Sequence, residues 1–169
     1  MTWPFSRRTS LPDGAALYSA IVAEARRPDY YVDAGVPDTI DGRFAVLASL
    51  IALTDIRLGQ SSEAASQIAP RLTECFIADM DAQMREAGFG DPGLGKQVRM
   101  MVGSLASRVE RWQNVIDRGA AWDEAVMPSL YRDEPPGDDN VAAGSALLRD
   151  WWRRLGDSDD AGLAEGTFR

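Results

Sequence analysis

The stretch GDPGLGK has the spacing of a phosphate-binding loop. Gly90, Gly95 and Lys96 fit the pattern G-x-x-x-x-G-K, in which backbone N–H groups and the lysine hold the phosphates of a nucleotide. Gln97 stands where the pattern needs a serine or threonine for magnesium, and a helix-like segment precedes the stretch where a strand is required. We therefore interpret it as a helix start, with Asp91 as the cap.

Asp79 and Asp81 are the other candidates for catalysis, because acidic pairs on helices hold magnesium in enzymes that act on isoprenoid diphosphates. Residues two apart on a helix point in directions about 200° apart, so the two carboxylates do not face one ion. The simpler interpretation is a solvated Asp81 and an Asp79 held in a local contact. A small helical enzyme that binds a diphosphate or isoprenoid ligand through magnesium at these two residues stays open as the alternative function.

Composition excludes several classes of site and partner. The chain has no histidine and a single cysteine, Cys75, which removes histidine-assisted nucleophiles and disfavours zinc. We expect no metal and no cofactor. The net charge of −8 argues against a nucleic-acid partner. No apolar run approaches the roughly 18 residues of a membrane span, and the first residues lack the apolar core of a secretory signal, so we expect a cytoplasmic protein.

Apolar residues recur at helical spacing through most of the chain, and no segment alternates as a strand does. The sequence predicts an all-α fold, an irregular bundle of about five helices with a partly helical C-terminal tail. The most apolar helix, capped by Asp38, Thr39 or Asp41 and ending near residue 58, should be central. The other predicted helices cover about 15–27, 62–87, 98–116, 120–131 and 141–155. The predicted domains are a flexible N-terminus (1–12), a helical domain (13–133), and a linker with a short helix and tail (134–169).

Two aromatic pairs lie in or near predicted loops. Tyr30 and Tyr31 either anchor a partner or hold their loop against the core. Trp151 and Trp152 stand beside three arginines near the C-terminus, a pattern that fits a peripheral contact with a membrane or a partner protein.

Two longer stretches resemble the signature of the ubiquinol–cytochrome c chaperone family, which comprises assembly factors for respiratory complex III. The first block, residues 18–50, contains the specific run GVPDTIDGRF (35–44). The second block, residues 76–98, has an acidic D-M-D helix, a G-D turn and a G-K pair in matching order. The resemblance covers about residues 17–131.

This resemblance implies an all-helical chaperone that is not an enzyme. Its partner would be cytochrome b or another complex III subunit, met at the cytoplasmic face of the inner membrane. A helical interaction module with an unrelated partner is the third alternative. The motif residues carried over by position are Gly35, Pro37, Asp38, Thr39, Asp41, Gly42, Arg43 and Phe44 in the first block, and Asp79, Met80, Asp81, Arg85, Gly90, Asp91, Gly95 and Lys96 in the second.

We place the candidate client site at the 30–41 loop and at a face near four methionines, Met80, Met84, Met100 and Met101, because methionine adapts to varied partners. We also predict that Lys96 and Arg43 approach Asp38, Asp79 or Asp81 in a charged cluster that ties the two blocks together. In the alternative, these charges face outward and bind the client.

Overall fold

The computed structural model describes residues 14–88, 90–119, 121–132 and 136–168, and for Asp91 and Pro92 only the backbone. The predicted flexible N-terminus, residues 1–12, lies outside the described residues. Within the described ranges the regular structure is helical and contains no strand. The helices are α1 (Ala15–Ala25), α2 (Asp29–Val32), α3 (Ile40–Gly59), α4 (Glu63–Ser66), α5 (Ile68–Glu86), α6 (Asp91–Arg118), α7 (Trp122–Leu130), α8 (Asp138–Asp157) and α9 (Asp160–Glu165).

The all-α prediction is confirmed, but the helices outnumber the five or so that were predicted. The predicted 62–87 helix is divided near Gln67 into α4 and α5. Ser62 caps α4 by accepting a hydrogen bond from the backbone of Ala65 at 3.3 Å. One-turn helices such as α2 and α4 are too short to show a 3.6-residue period, so no periodic signal marks them in the sequence.

Helix α3 is the central element, as predicted. Thr39 caps its start by accepting a hydrogen bond from the Gly42 N–H at 3.1 Å. The helix packs against α1, α5, α6, α7 and α8. Its two buried hydroxyl groups, on Ser49 and Thr54, donate to backbone carbonyls one turn earlier at 2.8 Å, so this crowded helix keeps its polar side chains satisfied.

Helix α6 is longer than its predicted apolar stripe and less completely covered. Trp112 is fully buried and Leu105 nearly so. Met101, Val102 and Val109 are only half-buried, because one opening lies against the N-terminal half of the helix and another against its middle. One of these openings is the candidate site described below.

The C-terminal segment differs from the short helix and exposed tryptophan pair expected from the sequence. Helix α8 runs for 20 residues, and Trp151 on it is fully buried. The Trp151 indole N–H lies 3.3 Å from both the Leu50 carbonyl and the Thr54 hydroxyl of α3, and Phe168 packs edge-on against its ring. Because Trp151 is fully buried, it has no surface that could contact a membrane. Trp152 is half-buried and packs against the core.

Candidate functional site

Tight backbone packing in the 35–44 turn of the first block accounts for its two glycines. Gly35 adopts a positive φ of 64°, a conformation that favours glycine. A Cβ atom on Gly42 would lie 1.9 Å from the carbonyl oxygen of Pro37, so this position has no room for a side chain. The Thr39 N–H also donates to the Pro37 carbonyl at 2.8 Å. The turn therefore sets the direction in which α3 begins.

Three tyrosines and an asparagine hold the turn against the rest of the protein. Tyr30 is fully buried, with its hydroxyl 3.3 Å from Glu24, and the Tyr31 hydroxyl donates to the Ala25 carbonyl at 2.7 Å. The Tyr131 hydroxyl donates to the Ala34 carbonyl at 2.6 Å, and burial raises the pKa of Tyr131 to about 12. The side-chain amide of Asn140 donates to the Asp33 carbonyl at 2.9 Å. Tyr30 and Tyr31 thus serve to fix the loop.

The second block forms the corner between α5 and α6. Gly88 follows α5 in the left-handed conformation with φ 87°, as a helix C-terminal cap does. Helix α6 begins at Asp91, so Gly90 occupies the cap position that was predicted for Asp91. The stretch GDPGLGK is therefore a helix start, with Gly95 and Lys96 exposed in its first turns. No strand leads into it in the part of the chain that is described.

The acidic residues of the second block are held separately. Asp79 accepts a hydrogen bond from the Tyr18 hydroxyl at 2.6 Å, which ties α5 to α1. Asp81 accepts one from Arg85 at 2.8 Å, one helical turn further along α5. Their carboxylates do not converge, and no group of three or more metal-binding side chains occurs among the described residues.

The predicted charged cluster forms only in part. Arg43 donates to Asp38 at 2.6 Å, and this hydrogen bond holds the pKa of Asp38 below its usual range. Lys96 makes no ion pair with any carboxylate that the structure describes. Among the residues that the structure describes, charge pairing therefore does not join the two blocks.

An open groove of about 740 Å³ joins the two blocks instead. One wall is the start of α3 with the turn before it, a second is the end of α5, and a third is the N-terminal half of α6. We call it the methionine groove. Its lining residues are Thr39, Ile40, Asp41, Phe44, Gln83, Met84, Glu86, Ala87, Gln97, Met100, Met101, Ser104 and Arg132.

Exposed apolar side chains are concentrated at this groove. Large apolar residues with high exposure are Val32, Ile40 and Met100 in the described part of the chain, and the last two, 63% and 52% exposed, line the groove. Phe44 and Met84 are almost buried and lie deeper. Met80 is also buried and does not line the groove. The groove thus brings the end of the 30–41 loop, residues 39–41, together with three of the four methionines of the second candidate region.

Arg132 lines one end of the methionine groove, and two further arginines, Arg108 and Arg111, lie behind that end without lining it. Arg108 is only 6% exposed and lies over the Phe44 ring, 5.5 Å from its centre. Its guanidinium donates to the Ser129 carbonyl at 2.8 Å and the Ser104 carbonyl at 3.2 Å. Burial, with the charges of Arg111 and Arg132, lowers the pKa of Arg108 to about 10. We call Arg108, Arg111 and Arg132 the arginine cluster.

A second, smaller opening of about 420 Å³ lies between α3, α5 and α6. Six of its nine lining residues come from α6, four of them apolar, and Asp55 of α3 also lines it. Burial raises the pKa of the Asp55 carboxyl group. The structure shows no ion pair for Asp55 with the residues it describes, so its charged form lacks compensation.

No pattern in the sequence indicates the arginine cluster. Arg108 falls between Leu105 and Trp112 on the buried side of α6, where a charged residue looks like an interruption of the stripe. Its partner, the Ser129 carbonyl, is 21 residues away. Arg132 lies just beyond α7, and no local pattern relates it to Asp41, which lies 3.5 Å away.

Comparisons with known proteins show which family and which solved fold the chain is similar to. Residues 32–169 match the family model described as ubiquinol-cytochrome C chaperone, a range that includes every residue of the methionine groove. The fold is similar to that in the crystal structure of the Cbp3 homolog from Brucella abortus, with a TM-score of 0.77, 27% identity, and coverage of 91% of this chain and 86% of that chain. No curated protein matches the chain.

Proposed function

The chain belongs to the ubiquinol-cytochrome C chaperone family, and from this premise we propose that it is an assembly chaperone of complex III whose client is cytochrome b. The proposed client site is the methionine groove. The client is a hydrophobic subunit that would be exposed to water before it is assembled, so its chaperone needs an apolar surface that can adapt to it.

The observation that carries this proposal is the position of the groove. The turn of the first block, and the end of α5 and the first half of α6 on either side of the second block's corner, form its walls although they are far apart in the sequence. Exposed Ile40 and Met100 face solvent there, and exposed apolar patches of this kind are typical of protein-binding sites. The flexible methionine side chains suit a groove that receives a peptide segment.

We propose binding without catalysis. Asp79 is held toward Tyr18 of α1 and Asp81 toward Arg85 along α5, so at least one carboxylate would have to move before the two could share a magnesium ion. This disfavours the diphosphate enzyme that the sequence left open. Thermal unfolding with and without magnesium tests this choice, since a metal-dependent rise in melting temperature would support the enzyme.

The proposed place of action is the cytoplasmic face of the inner membrane, where a newly made membrane subunit would be met. None of the helices within the described ranges combines the length and apolar character needed to cross a bilayer. Contact with the membrane would therefore come through the client or through the surface of the protein.

Complex III assembly in cells tests the function and its site together. In cells of the source organism, the wild-type gene is replaced by a gene that encodes the Ile40→Glu or the Met100→Glu variant. We expect both to reduce ubiquinol–cytochrome c reductase activity and assembled cytochrome b in membranes. Val32→Glu is the matched control, because Val32 is 75% exposed and lies outside the groove. Normal assembly after deletion of the whole gene would refute the proposed function.

A further inference from the structure

The arginine cluster carries positive charge that the described residues leave largely uncompensated. Arg108 directs its hydrogen bonds to the backbone carbonyls of Ser104 and Ser129, and Arg111 donates to the Ser129 hydroxyl at 3.2 Å. These partners are neutral. The concentration of positive charge is unusual in a chain whose net charge is −8.

A single carboxylate of the described residues pairs with the cluster, and that pairing is weak. Asp41 lies 3.5 Å from the Arg132 guanidinium, beyond the usual length of a charge-assisted hydrogen bond. Both side chains are exposed, Arg132 by 65% and Asp41 by 73%. Exposed pairs of this kind contribute little to stability, so Arg132 can exchange its partner at low cost.

Resting on the proposed function, we propose that the arginine end of the methionine groove binds a carboxylate side chain within an otherwise apolar client segment, with Arg132 as the group that contacts it. Arg132 exchanges Asp41 for the client carboxylate. Arg108, fixed over Phe44, and Arg111 add to the positive potential behind it. The apolar part of the segment packs on Ile40 and Met100.

The lining favours a peptide over an anionic lipid. Asp41 and Glu86 stand at the groove along with the amides of Gln83 and Gln97, and a phosphate-rich membrane surface would bring its negative charge against both acidic residues. A net charge of −8 opposes such a surface as a whole. A lone carboxylate on an apolar segment has to displace only Asp41 from Arg132, and the exposed Asp41 side chain then remains in water.

The probes are overlapping 20-residue peptides that tile cytochrome b of the same organism, each acidic peptide being paired with a version in which Asp or Glu becomes Asn or Gln. Binding to the full chain is measured by fluorescence anisotropy. We expect the tightest peptides to carry one acidic residue among apolar neighbours, and the amide version to bind about tenfold more weakly, as a close charge pair at an interface requires.

Arg132→Gln tests the assigned partner. It should weaken the acidic peptide about tenfold and leave its amide version unchanged, since loss of either charge removes the same interaction. Arg71→Gln is the matched control, an arginine of similar exposure, 57%, that pairs with Glu74 elsewhere. Asp41→Asn should tighten the acidic peptide by up to about fivefold, because it removes the competing carboxylate.

Each outcome decides the inference. Equal binding of acidic and amide peptides, equal effects of Arg132→Gln and Arg71→Gln, or no peptide binding would overturn it. So would Arg132-dependent binding to phosphatidylglycerol vesicles that the acidic peptide does not displace. If the acidic peptide and its amide version bind equally well but Ile40→Glu abolishes the binding of both, the proposed client groove is supported and only the carboxylate preference is refuted.

Discussion

Gly42 packs so closely against the preceding turn that alanine cannot replace it without a backbone shift. Its Cβ atom would lie 1.9 Å from the Pro37 carbonyl oxygen. We expect Gly42→Ala to lower the free energy of unfolding in urea by at least about 2 kcal/mol. Gly103→Ala, also within a helix but with open space around its Cβ, should raise it by up to about 1 kcal/mol. Effects of the same sign would contradict this account of the turn.

We expect that neutralising the partly buried carboxyl group of Asp55 stabilises the protein, and that the gain depends on pH. Burial raises its pKa, so the folded state is penalised at pH values where Asp55 is charged, and the penalty disappears once pH falls below about 4, the usual aspartate pKa. Asp55→Asn should therefore stabilise the protein at pH 7, by up to about 1 kcal/mol. The gain should vanish near pH 4. Urea unfolding at both pH values checks this, and a gain that is independent of pH would contradict it.

Local rules allowed several individual residues to be predicted. Thr39, one of three candidate caps of α3, and the helix start in GDPGLGK each depend on neighbours within a few residues. Arg108 and Tyr131 could not be predicted in this way. Their partners, the carbonyls of Ser129 and Ala34, are brought to them by the packing of separate helices.

At the scale of elements, α3, α5 and α6 could be predicted because each repeats its apolar residues over several turns. The period could not show how fully each stripe is covered, so the half-buried part of the α6 stripe could not be predicted. For α8, the sequence shows the stripe of Leu148, Trp151 and Leu155, but polar residues precede it and suggest a loose tail. The contact of Trp151 with α3, which the sequence does not show, is what fixes α8 against the core.

The packing of α8 and α9 predicts that a chain ending at residue 132 does not fold. Four side chains that α8 and α9 contribute to the core are fully buried, Leu148, Trp151, Leu155 and Leu163. Burial of each is worth about 1.5–3 kcal/mol, and the total is comparable with the stability of a typical domain. Circular dichroism on heating should show no cooperative transition.

Removal of residues 1–12, which the sequence places outside the helical domain, is the control for this truncation. We expect it to leave the melting temperature nearly unchanged. A chain of residues 1–132 that unfolds cooperatively would instead support the sequence-based domain boundary at 133, and it would show that α8 and α9 are dispensable for the core.

At the scale of the whole molecule, the fold brings two distant glycine-containing corners to the same groove, the first as a wall and the second between the helices that form the other walls. The turn before α3 is held by Tyr131 and Asn140, so the C-terminal half of the chain positions the first block. Thr39, Asp41 and Phe44 of the first block line the groove, whereas the second-block motif residues that the structure describes do not, so the second block shapes the groove through the helices on either side of its corner.

The most direct test of the account is site-specific photocrosslinking in living cells. A photoreactive phenylalanine analogue is placed at Ile40, at Met100 or at the control position Val32, and crosslinked proteins are identified by mass spectrometry. The account predicts that positions 40 and 100 crosslink to cytochrome b and that position 32 does not. Crosslinking to cytochrome b from position 32 alone, or to no subunit of complex III from either groove position, would contradict it.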